Sequence, residues 1–520
     1  MIPKKRRRSA SARGPAPATP VRSPAPGLDA VVAALSLVYV AMVLYVWVRR
    51  AGYPYELEWL EGAALEHVQR LRHGLPLYSA PSLAWVPLNY TPLYFALSAA
   101  FTFVFGETFL ALRLVSILSA IAAGALLWRL VRHETGRVAP AWLAVGLLAS
   151  THRLGGAWFD VARADSLHLA LLLAGACVAR LDPSRWRMPL VAGALFALAF
   201  LAKQSAAMAA GPLVLWLALT DRPRGLVLAL VFAALAGAGV LALDASSGGW
   251  FRYYAYTVPG FHKTSLALLG QFPLKDLLPR FGPLLGALAL SAWVARAEWA
   301  RWRWPFPLAL AAGFVALAWA LRLYPGGYDN VLVPAHAALA LLGALGFAAL
   351  TARRGAWALV AAALFAGQLA LVAWNPAAQV PTAADRAAGD ELVKGLGTLN
   401  GRLWVSSHTY LLGRSGRPAN AHVMPLMDVI RDGHGAREKA LLATLRDSLA
   451  AHAWDQAVLD NRDWLYEEFT RAGYQPVAAV FPNPDVGWPV TGMRTRPEYL
   501  FVAPGFRGVR AAPPGEASRP

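Results

Sequence analysis

The chain has 520 residues, of which 57% are hydrophobic and only 15% are charged, whereas roughly 25% of a typical soluble domain is charged. This composition leaves too little polar surface to face water, and it excludes an ordinary soluble enzyme, a disordered chain and, with Cys177 as the one cysteine, a disulfide scaffold. Most of the basic residues behind the net charge of +19 lie in a basic N-terminal segment and in short gaps between apolar runs. Such gaps are typical of cytoplasmic loops and indicate no nucleic-acid partner.

In chain order, residues 1–27 carry Lys and Arg but no acidic residue, which predicts a disordered basic cytoplasmic tail. Apolar runs of membrane-spanning character follow, and because lipid offers the backbone no hydrogen bonds, they must be helices. The runs are 28–48, 89–105, 109–130, 138–152, 157–180, 189–201, 206–219, 224–243, 278–295, 305–322, 330–350 and 355–374. The sequence therefore predicts a polytopic all-α membrane protein with about 11–13 transmembrane helices in residues 28–374.

The Arg-rich gaps place the N-terminus inside the cell and residues 49–88, 153–165, 323–329 and everything after 374 outside. This topology needs an odd number of crossings, so one of the twelve assignments is wrong. We expect 89–105 to be re-entrant or to lie along the surface; the alternative is that the basic segment 132–134 faces outward.

From residue 375 the apolar runs shorten to strand length and alternate with helical stretches. The strand-like runs are 402–407, 456–460, 477–481 and 499–502, and the helical stretches are 385–396, 436–452 and 463–472. Residues 375–520 are therefore predicted to form a soluble extracytoplasmic α/β domain.

The first outer loop, 49–88, concentrates acids that are scarce elsewhere, namely Glu56, Glu58, Glu61 and Glu66. Glu58 and Glu61 are three residues apart and would share one face of a helix. Two neighbouring carboxylates attract a cation or the proton of a hydroxyl group. A solvated acidic face is the alternative, and we favour a functional site.

Two further segments bring costly charges to the membrane boundary. Arg163 and Asp165 directly precede an apolar helix, where they could pair with each other or where Asp165 could cap the helix. Lys203, followed by Gln204, interrupts an apolar stretch that is too long for one helix and short for two. We expect a turn there, below the outer surface, where a lysine suits a phosphate anion or extends to the interface.

A fourth segment, 323–330, contains Gly326 and Gly327 followed by Tyr328 and Asn330. It either allows a ligand to approach the backbone closely or forms a plain turn. The sequence contains no Walker loop, dinucleotide fingerprint, HExxH or CxxC motif. A nucleotide-driven pump and a zinc peptidase therefore have no support.

Taken in order, these segments resemble the GT-C superfamily of membrane glycosyltransferases. The closest likeness is to the family-39-like or RgtA/B/C/D-like group, which includes aminoarabinose transferases and protein O-mannosyltransferases. The motifs that carry the resemblance are Glu58-x-x-Glu61-Gly62, Gly74-x-Pro76-x-Tyr78, Tyr90-Thr91-Pro92-Leu93-Tyr94, Arg113-Leu114-x-Ser116, Arg163-x-Asp165-Ser166-Leu167, Lys203-Gln204 and Gly326-Gly327-Tyr328-x-Asn330.

The resemblance implies inverting transfer of a sugar from a polyprenyl-phosphate donor to an acceptor hydroxyl of a glycan, lipid or protein, on the outer face of a bacterial inner membrane. It implies that Glu58 or Glu61 takes the hydroxyl proton and that Asp165 places a cation or the acceptor. Arg163 and Lys203 would hold the lipid phosphate. The further substrate-binding residues implied are Arg113, Tyr90, Gln204, Tyr328 and Asn330. A divalent cation, Mg²⁺ or Mn²⁺, held by Glu58, Glu61 and Asp165 is an open option.

A carboxylate beside such cations is expected to have a lowered pKa, so orientation would supply much of the rate.

Two other functions share the spans and the donor lipids. A flippase or transporter of lipid-linked sugars would carry charged or broken segments at the membrane midplane. An O-antigen ligase or polymerase would place its chemistry in a large late periplasmic loop.

Overall fold

The computed structural model describes residues 26–297, 305–353, 355–431 and 435–507. The predicted tail lies almost entirely in residues 1–25, outside the described residues. Within these residues helices dominate, and six helical stretches are long and apolar enough to cross a membrane. They are Pro26–Arg50, Phe109–Thr135, Arg222–Ser246, Leu266–Val294, Pro305–Arg322 and Asp329–Ala352. The chain is a multi-pass membrane protein, as its composition predicts.

The helices of the membrane region follow the apolar runs. In chain order they are α1 Pro26–Arg50, α2 Glu61–Arg72, α3 Leu93–Phe105, α4 Phe109–Thr135, α5 Val138–Ser150, α6 Asp165–Leu181, α7 Arg187–Ala202, α8 Ala206–Thr220, α9 Arg222–Ser246, α10 Trp250–Arg252, α11 Val258–Phe261, α12 Leu278–Val294, α13 Pro305–Arg322, α14 Val333–Ala352 and α15 Ala356–Leu371. Short π and 3₁₀ turns connect α10 to α12.

One predicted run differs clearly from the structure. The apolar run 157–180 was assigned as a span from residue 157, but α6 begins only at Asp165, in agreement with the expectation that Arg163 and Asp165 lie at the start of the helix. Ala157 adopts a positive φ of 54°, and residues 158–164 form bends rather than helix. The polar side chains of this segment explain the difference. Asp160 and Arg163 have buried partners outside the helix, and these contacts hold the segment as a loop.

Helix α14 is the centre of the bundle. In the most apolar part of the stretch Asp329–Ala352, which contains α14, 94% of the residues are buried inside the protein, whereas the corresponding share in α9 is 11%. Small residues fill α14, and Ala and Gly side chains let neighbouring helices approach closely in a membrane. The bundle therefore surrounds α14, while α9 lies at its periphery.

The described residues of the C-terminal region combine five α-helices with one sheet. The helices are α16 Ala383–Thr398, α17 Tyr410–Arg414, α18 Val423–Ile430, α19 Ala436–Ala450 and α20 Tyr466–Arg471, and the strands are β1 Leu403–Val405, β2 Gln456–Asp460, β3 Gln475–Ala479 and β4 Pro497–Val502. The strand order is β1-β2-β4-β3. Strand β2 pairs parallel with β1 and antiparallel with β4, which also pairs antiparallel with β3. Every residue of β2 is buried.

The C-terminal region and the first loop share one hydrophobic core. Tyr55 and Trp59 of the loop belong to the same buried cluster as Trp404 of β1 and Tyr410 of α17. Glycine at position 62 permits this packing, because a Cβ there would overlap the Tyr410 ring. The first loop is therefore enclosed between the helix bundle and the sheet.

Candidate active site

The first loop is held by one buried ion pair. Glu61 opens α2, and its carboxylate contacts Arg113 of α4 at 3.0 Å (Oε1–Nε) and 2.6 Å (Oε2–Nη2). The same carboxylate accepts hydrogen bonds from the N–H groups of Leu57 and Ala162, each over 2.6 Å. Arg113 spends its other donors on backbone carbonyls of residues 50–55. Both side chains are fully buried, so this pair shapes the loop.

Glu58 lies in the turn before α2 and has different partners. Its Oε2 atom accepts hydrogen bonds from Arg163 Nη1 over 3.0 Å and from the N–H of Leu60 over 3.3 Å. Its Oε1 atom is buried and has no hydrogen-bond partner among the described residues. Arg163 also donates through Nη2 to the Tyr90 hydroxyl over 2.7 Å. Glu58 therefore keeps one acceptor oxygen unused inside a buried, charged site.

Asp165 and Lys203 form the second half of the site. Lys203 Nζ donates to Asp165 Oδ1 over 2.7 Å, from the turn between α7 and α8. Asn330 Nδ2 donates to the same oxygen over 3.0 Å, and Trp158 Nε1 donates to Oδ2 over 2.9 Å. The side chain of Lys203 is 14% exposed. An ammonium group has three donors, so Lys203 retains capacity for an anion.

Two small cavities meet at this ion pair, and Asp165 and Lys203 line both. The first is also lined by Tyr90 and Arg163 from the Glu58 half of the site. The second is also lined by Asn330 and by apolar residues of α13. The ion pair therefore lies between the charged site and the apolar interior of the bundle.

Gln204 and Tyr328 border the same region. Gln204 Nε2 donates to the carbonyl of Asn89 over 3.0 Å, and its Oε1 atom has no partner in the described part of the chain. The Tyr328 ring packs against Trp158, with the ring centroids 5.3 Å apart. The structure thus gathers the predicted residues at one end of the bundle, with Glu61 and Arg113 occupied by each other.

The pKa of Glu58 is raised to about 8. Burial is the largest cause, the positive charge of Arg163 opposes it, and the nearby charges of Glu61 and Glu56 add to it. The expectation of a lowered pKa is therefore wrong for Glu58, because burial outweighs its arginine. A general base works best when its pKa is near the working pH, and Glu58 meets that condition.

The three carboxylates do not fit a shared Mg²⁺ or Mn²⁺ ion. Each already contacts its own cation: Glu58 with Arg163, Glu61 with Arg113, and Asp165 with Lys203. These divalent ions need several oxygen ligands with free lone pairs around one point. In the part of the chain that the structure describes, no three His, Cys, Asp or Glu side chains are grouped to hold a metal.

Sequence reasoning missed a buried charge cluster beside the site. Glu56 pairs with Nδ1 of His408, and Nε2 of the same imidazole lies 3.2 Å from Asp460 Oδ2. Burial opposes the charged imidazole, but Asp460 and Glu56 outweigh it and raise the pKa of His408 to about 10. Burial raises the pKa of Glu56 to about 7 against the charge of His408. Only the acidity of the first loop hinted at this cluster.

A second missed pair fixes the loop before α6. Arg50 and Asp160 are fully buried and form two contacts of 2.5 and 2.7 Å. Arg50 also donates to the carbonyls of Ala157 and Gln379. The sequence offered one signal for this pair: Arg50 follows an apolar run, and Asp160 lies in a later outer loop.

Known proteins resemble this chain in part of its sequence and in its fold. Residues 89–250 match the family model described as dolichyl-phosphate-mannose-protein mannosyltransferase. The fold is similar to ArnT from Cupriavidus metallidurans in the apo state, with a TM-score of 0.58 and 13% identity, and to the same ArnT bound to undecaprenyl phosphate, with a TM-score of 0.56 and 12% identity. Each comparison covers 89% of this chain and 97% of that chain. No curated protein matches the sequence.

Proposed function

We propose that this chain is a membrane glycosyltransferase of the GT-C superfamily, which the family match and the likeness to ArnT support, and that it moves a sugar from a polyprenyl-phosphate donor to an acceptor hydroxyl with inversion at the anomeric carbon. One observation carries the proposal. A buried carboxylate oxygen, Glu58 Oε1, has no partner among the described residues, and it lies beside a site that contains Arg163 and Lys203. A base and an anion-binding group are the two parts that this reaction needs.

Glu58 is the proposed base. The acceptor hydroxyl would donate to Oε1 and lose its proton there as its oxygen bonds to the anomeric carbon. Oε2 meanwhile stays with Arg163, at 3.0 Å, which orients the carboxylate. Glu61 is excluded from this role because its oxygens are taken by Arg113 and two backbone N–H groups. Glu61 is therefore a positioning residue.

Lys203 and Arg163 are proposed to hold the lipid phosphate. When the bond between the anomeric carbon and the phosphate oxygen breaks, the electron pair leaves with the phosphate, and nearby cations stabilise that charge. Asp165 keeps Lys203 in place through its 2.7 Å contact. The ArnT neighbour in complex with undecaprenyl phosphate supports this class of donor. Tyr90, Gln204, Tyr328 and Asn330 are proposed to line the substrate site.

We also propose that the site faces the outside of a bacterial inner membrane and that residues 375–520 form the extracytoplasmic domain. The Arg-rich gaps of the sequence support this orientation. The site segments all lie at the end of the bundle that carries the C-terminal sheet, as the shared core of Tyr55 and Trp404 indicates.

A transfer assay tests the proposed function. Membranes containing the chain are incubated with radiolabelled polyprenyl-phosphate sugars, and the label is followed into lipid, glycan and protein fractions. Membranes with the Glu58→Gln variant at equal protein level serve as the control. We expect the label to move only with the unchanged chain. Equal transfer by both would overturn the assignment of Glu58, and no transfer of any label would overturn the donor class.

A further inference from the structure

The C-terminal region contacts Glu58 directly. In the segment before β4, the N–H of Thr491 donates to the carbonyl of Leu57 over 3.0 Å. Thr491 also pairs with Glu58 as an isolated parallel β-bridge. The first loop therefore carries a backbone pairing with a residue more than 400 positions later in the chain, immediately beside the proposed base.

Thr491 reaches a second site segment through its side chain. Its hydroxyl donates to the carbonyl of Gly156, in the loop before α6. Thr491 is buried, with 6% of the residue exposed. Thr491 thus joins the loop that contains Glu58 to the loop that contains Arg163.

Gly492 adds a third connection and covers the carboxylate. Its N–H donates to the Tyr328 hydroxyl over 3.2 Å. A Cβ at this position would lie 2.9 Å from Glu58 Cγ and 3.0 Å from Glu58 Oε1, and the φ of +81° favours glycine. Any side chain here would displace the carboxylate or the segment that covers it.

We propose that Thr491 and Gly492 are positioning residues of the active site, so that the C-terminal region completes the catalytic unit instead of only covering it. They tie together the three loops that carry Glu58, Arg163 and Tyr328, and they hold the Glu58 carboxylate against Arg163. The inference rests on the proposed function, since it assigns these two residues to the orientation of that base. Such orientation is lost when a positioning contact is removed, even where binding remains.

The test uses the full chain in lipid nanodiscs, with Thr491→Val, Thr491→Ser and Gly492→Ala. Thr444→Val is the matched control, because Thr444 is an exposed threonine of α19 whose hydroxyl donates only within its own helix. Three quantities are measured: turnover with radiolabelled undecaprenyl-phosphate sugars, affinity for undecaprenyl phosphate alone, and deuterium exchange of residues 54–62.

We expect Thr491→Val and Gly492→Ala to lower turnover by about tenfold or more, while the affinity for undecaprenyl phosphate changes by less than about threefold. Thr491→Ser keeps the hydroxyl and should restore turnover to within about threefold of the original chain. Exchange in residues 54–62 should be faster in the valine variant than in the serine variant or the control.

The outcomes separate the two proposals. If no undecaprenyl-phosphate sugar is turned over by the unchanged chain, the proposed function fails, and faster exchange in Thr491→Val with rescue in Thr491→Ser still supports the positioning role. If Thr491→Val retains both normal turnover and normal exchange, the inference is overturned. Equal loss of turnover in the valine and serine variants would also overturn it.

Discussion

Glu58 and Glu61 are three residues apart, yet they pair with different arginines. Arg163 holds Glu58 through one oxygen at 3.0 Å, and the other oxygen has no partner among the described residues, whereas Arg113 holds Glu61 through both of its oxygens. The two carboxylates therefore have different roles, and substitutions should separate catalysis from stability.

Glu58→Gln should lower transfer by roughly 100-fold or more, since removal of a general base typically costs that much. The amide keeps the size of the side chain but cannot accept the proton. Affinity for undecaprenyl phosphate should stay within about threefold, because the carboxylate is not a phosphate ligand. Turnover and affinity are measured on the same preparation. Glu391→Gln, at an exposed position, is the matched control, and a Glu58→Gln chain with normal turnover contradicts the assignment.

Glu61→Gln should destabilise the protein. The change removes one member of a fully buried ion pair and leaves the Arg113 charge uncompensated, which typically costs about 3–5 kcal/mol. Thermal unfolding in detergent measures the effect. Arg113→Lys alone should also destabilise the protein, because lysine cannot reproduce the bidentate geometry of the arginine. A Glu61→Gln chain that unfolds at the original temperature but has lost all turnover would instead make Glu61 the base.

Lys203→Met should weaken the binding of undecaprenyl phosphate by about 10- to 100-fold, the usual worth of a charge-assisted hydrogen bond. Methionine preserves the apolar stem of the side chain. Binding of undecaprenyl phosphate to the purified chain is the measurement, with Lys394→Met at an exposed position of α16 as the control. Unchanged affinity would show that Lys203 serves only to pair with Asp165.

Transfer should increase with pH. The pKa of Glu58 is raised to about 8, chiefly by burial, and only the deprotonated carboxylate accepts a proton. Below this value, kcat/KM should fall by about tenfold per pH unit. The profile is measured between pH 6 and 9 under conditions where the chain stays folded. In Glu58→Gln the residual rate should lose this dependence. A rate that is independent of pH across this range in the unchanged chain would contradict the raised pKa of Glu58.

The membrane region was largely predictable because hydrophobic length is a local property. The run 305–322 and the helix Pro305–Arg322 coincide, and the strand 456–460 was also predicted with its observed bounds. The α-helical membrane fold with a C-terminal sheet is confirmed, and the likeness to ArnT supports the fold that the resemblance implied. The predicted start of the run 157–180 was wrong. Trp158 and Phe159 are apolar and look like part of the helix, but they lie in a loop whose shape depends on Arg50, far away in sequence.

The candidate site was predictable in composition but not in pairing. Costly charges such as Glu58, Arg163 and Lys203 stand out in an apolar sequence. Which carboxylate pairs with which cationic side chain depends on contacts between residues that are distant in sequence, as for Glu61 and Arg113, more than 50 positions apart. The contribution of Thr491 could not be predicted at all, because a threonine in a polar segment carries no signal until the chain is folded.

Three of the helices beside the site are short. Helices α5, α7 and α8 contain 13, 16 and 15 residues and measure about 20–24 Å at 1.5 Å per residue, whereas the hydrocarbon layer is about 30 Å thick. Thinning of the surrounding bilayer is one of the ways in which such a mismatch is relieved. If the bilayer thins around these helices, the phosphate of the proposed polyprenyl donor would lie closer to Lys203, at a depth set by helix length.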